Sequence, residues 1–98
     1  MITEQALLPV IPGREAEFEA AFASAKTIIA ASSGFHGLTL SRCIERPSAY
    51  LLLVQWDTIE DHELGFRGSA GYQDWRAALH HFYSTPATVE HYAEVATA

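Results

Sequence analysis

Residues 49–57, Ala-Tyr-Leu-Leu-Leu-Val-Gln-Trp-Asp, constrain this chain more than any other stretch. They read as a strand with Tyr50, Leu52, Val54 and Trp56 on one face and Leu51, Leu53 and Gln55 on the other. Apolar–polar alternation is nearly lost, so both faces are expected to be buried. One layer of helices covers only one face of a sheet. The other face needs a second cover, and another copy of the same chain is the simplest one. A homodimer is therefore the expected assembly.

The flanking sequence supplies the rest of such a sheet. Residues 2–10 read as a first strand of mixed character, with Pro9 near its end because proline lacks a donor. Pro12-Gly13 is a turn, and a helix is expected over 13–32. Phe18, Ala21, Phe22, Ala25, Ile28 and Ile29 fall on one stripe of it, with Glu15, Glu19 and Lys26 on the outer flank. Gly34 after Ser32-Ser33 suits the left-handed stop. A second strand spans 35–46, and Arg46-Pro47-Ser48 turns it into the strand at 49–57. Asp57-Thr58-Ile59-Glu60 has the capping-box pattern and opens a short helix over 58–64, ended by Gly65. Ser69 caps a second helix over 69–83, whose stripe is Tyr72, Trp75, Leu79 and Phe82. A last strand covers 87–96, with Val89, His91, Ala93 and Val95 on one side.

The order is strand, helix, strand, strand, helices, strand. That is the split βαβ or ferredoxin-like arrangement, an α+β fold with an antiparallel sheet and helices on one face. At 98 residues it is expected to be one domain. Two copies joined through their open sheet faces would make an α+β barrel.

The charge of −6, with a single lysine, argues against nucleic acid and against anionic membranes as partners. No apolar run approaches the length of a membrane span, and no export signal opens the chain. A lone cysteine, Cys43, forms no internal disulfide and reads as a plain strand residue. The cytoplasm is the expected location.

Residues 56–83 hold both tryptophans, three of the five histidines and two of the five arginines. Aromatics with polar tips must satisfy N–H and O–H groups, so aliphatics are the cheaper way to fill a core. The segment is therefore expected to line a pocket.

Several blocks in order resemble the antibiotic biosynthesis monooxygenase family. These are Val10-Ile11-Pro12-Gly13, Gly34-Phe35-His36-Gly37, Tyr50 through Trp56, Glu60-Asp61-His62, Phe66-Arg67-Gly68-Ser69 leading into Trp75, and Pro86 before Val89-Glu90-His91-Tyr92. The resemblance implies a pocket between sheet and helices in each subunit of a dimeric α+β barrel. It further implies one of three roles: cofactor-free oxygenation of aromatic phenols, haem degradation, or no known activity.

Cofactor-free oxygenation needs aromatic walls, a base and a cation for the oxyanion. His62 is the candidate base or proton relay and Arg76 the anion partner; Trp56, Phe66, Tyr72, Trp75 and His80 are the candidate substrate contacts. Plainer roles stay open for each. Trp75 fits the core stripe, His62 fits a cap at a strand-to-helix turn, and Arg76 fits a surface ion pair. His91 reads as a packed, hydrogen-bonded histidine.

The haem-degrading branch uses an asparagine on the first strand, a tryptophan before the last helix and a histidine on it. This chain has no asparagine, with Phe66 and Arg76 at the other two places. No metal-ligand spacing and no glycine-rich nucleotide loop is present, so no cofactor and no metal are expected. The leading expectation is a cofactor-independent monooxygenase acting on a small aromatic or quinone-like molecule. The alternative is a non-catalytic dimer that binds a small molecule or serves in stress.

Overall fold

A computed structural model describes residues 1–98. The elements are β1 (Ile2–Pro9), α1 (Glu15–Ala30), β2 (Phe35–Arg42), β3 (Ala49–Trp56), a π-helical turn (Asp61–Phe66), α2 (Ala70–Leu79), a 3₁₀ turn (His80–Phe82) and β4 (Thr88–Ala93). The sheet order is β2-β3-β1-β4, and every neighbouring pair is antiparallel. This is the expected ferredoxin-like α+β fold.

Period two sets the faces. Tyr50, Leu52, Val54 and Trp56 are buried against the helices, together with Ala6 and Leu8 of β1. α1 contributes Phe18, Phe22, Ala25 and Ile29, and α2 contributes Trp75 and Leu79. The helices meet through Phe22 and Trp75, edge to face at 5.7 Å. Residues of the opposite face stay partly open: Leu51 and Leu53 are half-buried and Leu7 is 49% exposed.

Three local expectations are corrected. Gly65 does not end the short helix, which runs on as a π-helical turn to Phe66. Its wide ring closes by the Arg67 N–H donating to the His62 carbonyl at 3.0 Å. The capping box sits one residue later than expected. The Asp61 N–H donates to Thr58 Oγ1 at 3.1 Å, while that hydroxyl donates to the Asp61 carboxylate at 3.0 Å. The second helix stops being α-helical at Leu79, and the tighter 3₁₀ turn still brings Phe82 into the core. Glu15 and Glu19 lie on the outer flank as expected and make contacts there. They accept hydrogen bonds from Ser48 Oγ at 2.6 Å and Tyr50 Oη at 2.5 Å, tying α1 to the β2–β3 hairpin.

Gly34 has φ +81°, as a left-handed stop requires, and its carbonyl accepts from the Asp57 N–H at 2.9 Å. A Cβ there would collide with the Asp61 carboxylate and lie 2.9 Å from Asp61 Cβ. Gly34→Ala therefore meets both a backbone penalty and a collision at the start of the π-helical turn. The expected loss is about 2–4 kcal/mol in urea unfolding.

Candidate functional site

Between the helical face of the sheet and the helices lies a cavity of about 520 Å³. That is a size suited to a drug-sized ligand. β1 supplies Glu4, Ala6 and Leu8 to its floor. The π-helical turn supplies His62 and Phe66. An i→i+5 ring stacks these two residues, four apart, on the inner side, and they are 3% and 2% exposed. α2 adds Tyr72, Trp75 and Arg76, and the segment after it adds His80 and Tyr83. That segment is pinned to the end of β1 by two bonds of 2.8 Å, Ile11 N–H to the Phe82 carbonyl and Ser84 N–H to the Pro9 carbonyl.

Six of the seven candidate residues thus converge on one cavity: His62, Phe66, Tyr72, Trp75, Arg76 and His80. Trp56 does not. It is fully buried behind the floor, where its indole stacks on the His62 ring at 5.5 Å and its Nε1–H donates to Glu4 Oε1 at 3.0 Å. Its polar tip serves a buried carboxylate rather than a ligand.

The aromatic wall is a chain of edge-to-face contacts. Phe66 meets Tyr72 at 5.3 Å and Trp75 at 5.7 Å, and Tyr72 meets His80 at 6.3 Å. Burial and the nearby Arg76 guanidinium push His80 down, so its imidazole stays neutral. Burial pushes the Tyr83 phenol up, so it remains a donor.

Glu4, Arg67 and Tyr83 escape the sequence reading, yet all three line the cavity. Glu4 is 5% exposed. The β1 register sets it directly opposite His91 of β4 and Val54 of β3. Its carboxyl is raised from its ordinary value by burial, an effect partly offset by the Trp56 hydrogen bond and the Arg67 charge. His62 Nε2 lies 3.3 Å from the same Glu4 oxygen, and His62 Nδ1 is hydrogen-bonded to His91 Nε2 at 2.8 Å. His62 Nδ1 is therefore hydrogen-bonded, and Nε2 faces the carboxyl within ion-pair distance. Burial, with smaller contributions from Arg67 and His91, lowers the His62 pKa to about 3. Arg67 and Arg76 stand exposed at the rim with no carboxylate within ion-pair distance, whereas Arg14 and Arg42 are paired with Glu17 and Glu19. No three His, Cys, Asp or Glu side chains are grouped to hold a metal ion. No helix is long and apolar enough to cross a membrane.

The geometry has relatives. The Bacillus subtilis protein YczJ, itself uncharacterized, is 50% identical over 95 residues, covering 97% of this chain and 100% of its own. A crystal structure from Bordetella bronchiseptica, named as a candidate antibiotic biosynthesis monooxygenase, is 41% identical. It superposes with a TM-score of 0.94 over 97% of each chain. SnoaB from Streptomyces nogalater, described as a cofactor-independent oxygenase and solved as a point mutant, has a TM-score of 0.84. It is 22% identical over 98% of this chain and 94% of its own, which speaks for the fold alone. The model of the antibiotic biosynthesis monooxygenase family matches residues 1–78, so the chain belongs to that family.

Proposed function

We propose that the protein is a cofactor-independent monooxygenase of a small phenol bearing an oxidisable ring methylene, or of its enol tautomer. The observation that carries this reading is the buried Glu4 carboxyl on the floor of a cavity walled by Phe66, Tyr72 and Trp75. A carboxyl raised by burial is a stronger base toward a phenol than one in water. The phenolic proton passes to Glu4, and Arg76, with Arg67, faces the oxyanion left behind. The electron-rich anion then reduces O₂. The methylene loses both hydrogens and gains a C=O bond to one oxygen atom, and the other oxygen leaves as water with those hydrogens. Substrate supplies every electron, so O₂ is the only oxidant needed.

His62 fits the relay role rather than that of free base, because it stands between Glu4 and His91 and its imidazole stays neutral. Oxygen uptake with a hydroxyanthrone tests the reading. One O₂ consumed per quinone formed, with no added metal or flavin, is the expected result. Saturable binding without oxygen uptake would assign the non-catalytic, small-molecule-binding role instead.

Two further parts belong to this proposal. The protein is taken to act in the cytoplasm and as a homodimer joined through the open sheet face. Half-buried Leu51 and Leu53, with Leu7 at 49% and Tyr92 at 50% exposed, support such a contact.

A further inference from the structure

The cavity floor connects to the surface by a line of titratable side chains. Glu4 Oε1 lies 3.3 Å from His62 Nε2, His62 Nδ1 bonds to His91 Nε2 at 2.8 Å, and His91 Nδ1 lies 3.8 Å from Glu63 Oε1. Exposure rises outward from His62. The side chains of Glu4 and His62 are 6% and 4% exposed, His91 is 15% and Glu63 is 48%. Three separate elements contribute: β1 gives Glu4, β4 gives His91, and the π-helical turn gives His62 and Glu63. Arg67 is the remaining charged group that acts on Glu4 and His62.

We infer that Glu4, His62, His91 and Glu63 form a proton path between the cavity and solvent, with His91 and Glu63 as positioning residues of the proposed oxygenation. This rests on the oxygenase reading above. Each imidazole presents one nitrogen to each neighbour, so the same heavy-atom contacts accept two proton polarities. In one, His62 carries its hydrogen on Nδ1 and donates toward His91. In the other, it carries it on Nε2 and donates toward Glu4.

Passage switches the line from the first polarity to the second. A proton arriving on Glu4 moves to His62 Nε2, the His62 Nδ1 proton moves to His91 Nε2, and the His91 Nδ1 proton leaves to Glu63 or solvent. No imidazolium forms, which suits a histidine held neutral by burial. The reverse movement brings a proton back when the departing oxygen becomes water, and it restores both starting tautomers. Net proton count over the cycle is zero. A histidine kept only for packing would also need partners for its nitrogens, but not titratable partners that lead on from the cavity to an exposed carboxylate.

The test is His91→Gln. Glutamine keeps a donor and an acceptor at that place but cannot pass a proton through itself. In weak buffer, turnover of hydroxyanthrone is expected to fall about tenfold or more with KM unchanged, and dissolved imidazole is expected to restore it. Turnover equal to the parent, or a loss that imidazole does not restore, would overturn the path. A second measurement does not depend on activity. Nitrogen-15 NMR of the histidine side chains should show the His62 ring nitrogens moving in both His91→Gln and Glu4→Gln while those of His36 stay put. His62 resonances unmoved by either substitution would overturn the path even in an active enzyme. A parent protein that oxidises no hydroxyanthrone, yet shows the coupled shifts, would sink the oxygenase reading and leave the path standing.

Discussion

Glu4→Gln is expected to yield a protein that melts higher than the parent at neutral pH and turns over at least about a hundredfold more slowly. The two effects share one cause. Glu4 is 5% exposed, and burial raises its carboxyl above the ordinary value, so the folded state bears a cost whenever that carboxyl is ionised. Glutamine keeps the oxygen that accepts the Trp56 indole hydrogen bond but carries no charge. The gain should be about 1 kcal/mol, or roughly 4–8 °C in Tm for a chain of this size. Turnover is lost because an amide takes no proton from a phenol.

The pH dependence gives the sign independently. Because the folded-state pKa of Glu4 is raised, the unfolded chain releases its proton first on going up in pH. The cost to the parent is therefore full above the raised value. It disappears as pH falls through that value toward the ordinary 4.5. The Tm advantage of Glu4→Gln should shrink over that window and vanish below it. His62 works the other way. Its folded pKa of about 3 lies below the ordinary 6.5, so both proteins lose stability as pH falls through that interval. The two side chains touch, so the difference between the two melting curves reads Glu4 together with its effect on His62. An advantage that grew on acidification would mean that Glu4 is held ionised by its partners, and its assignment as base would fail.

The fold is legible in the sequence because it depends on period and order. Val54 and Trp56 inward, Leu51 and Leu53 outward, follow from alternation alone. Helical spacing likewise puts Tyr72 and Trp75 on one side of α2, whereas Phe66 joins them from the π-helical turn. What escapes is set by pairing between distant strands. Glu4 and Gln5 side by side make β1 look mixed, although Ile2, Glu4, Ala6, Leu8 and Val10 fall on one face by period two. A single carboxylate in that apolar row is the available signal. His91 reads correctly as hydrogen-bonded, but its partner depends on β4 lying beside β1 with His91 opposite Glu4. Trp56 suits a cavity wall by its type; only the register across β1 and β3 shows its indole N–H taken by Glu4. The π-helical turn has no compositional mark, and Gly65 inside it reads as a terminator.

Leu53→Lys is expected to convert the proposed dimer to a monomer while leaving the cavity intact. Leu53 stands near the middle of the open sheet face, opposite Gln5 on β1 and Thr39 on β2, with Leu51 beside Leu7 one pair further on. On a single chain this face is half-covered at best, and Leu7 is 49% exposed. In a two-fold contact each substitution appears twice, so two ammonium groups would have to lose water near the centre of the interface. At several kcal/mol for each uncompensated charge, the dimer constant should weaken by a factor of about a thousand or more. Sedimentation at micromolar concentration should then show one chain's mass in place of two. A single chain supplies Glu4, His62, Tyr72, Trp75 and Arg76 to the cavity. The monomer should therefore still bind a hydroxyanthrone, read as quenching of tryptophan fluorescence. A variant that remained dimeric would place the contact elsewhere and leave the outer leucines of β3 without a partner. A monomer that lost binding would mean that the second copy holds the cavity walls in place, which would make the open face a part of the site.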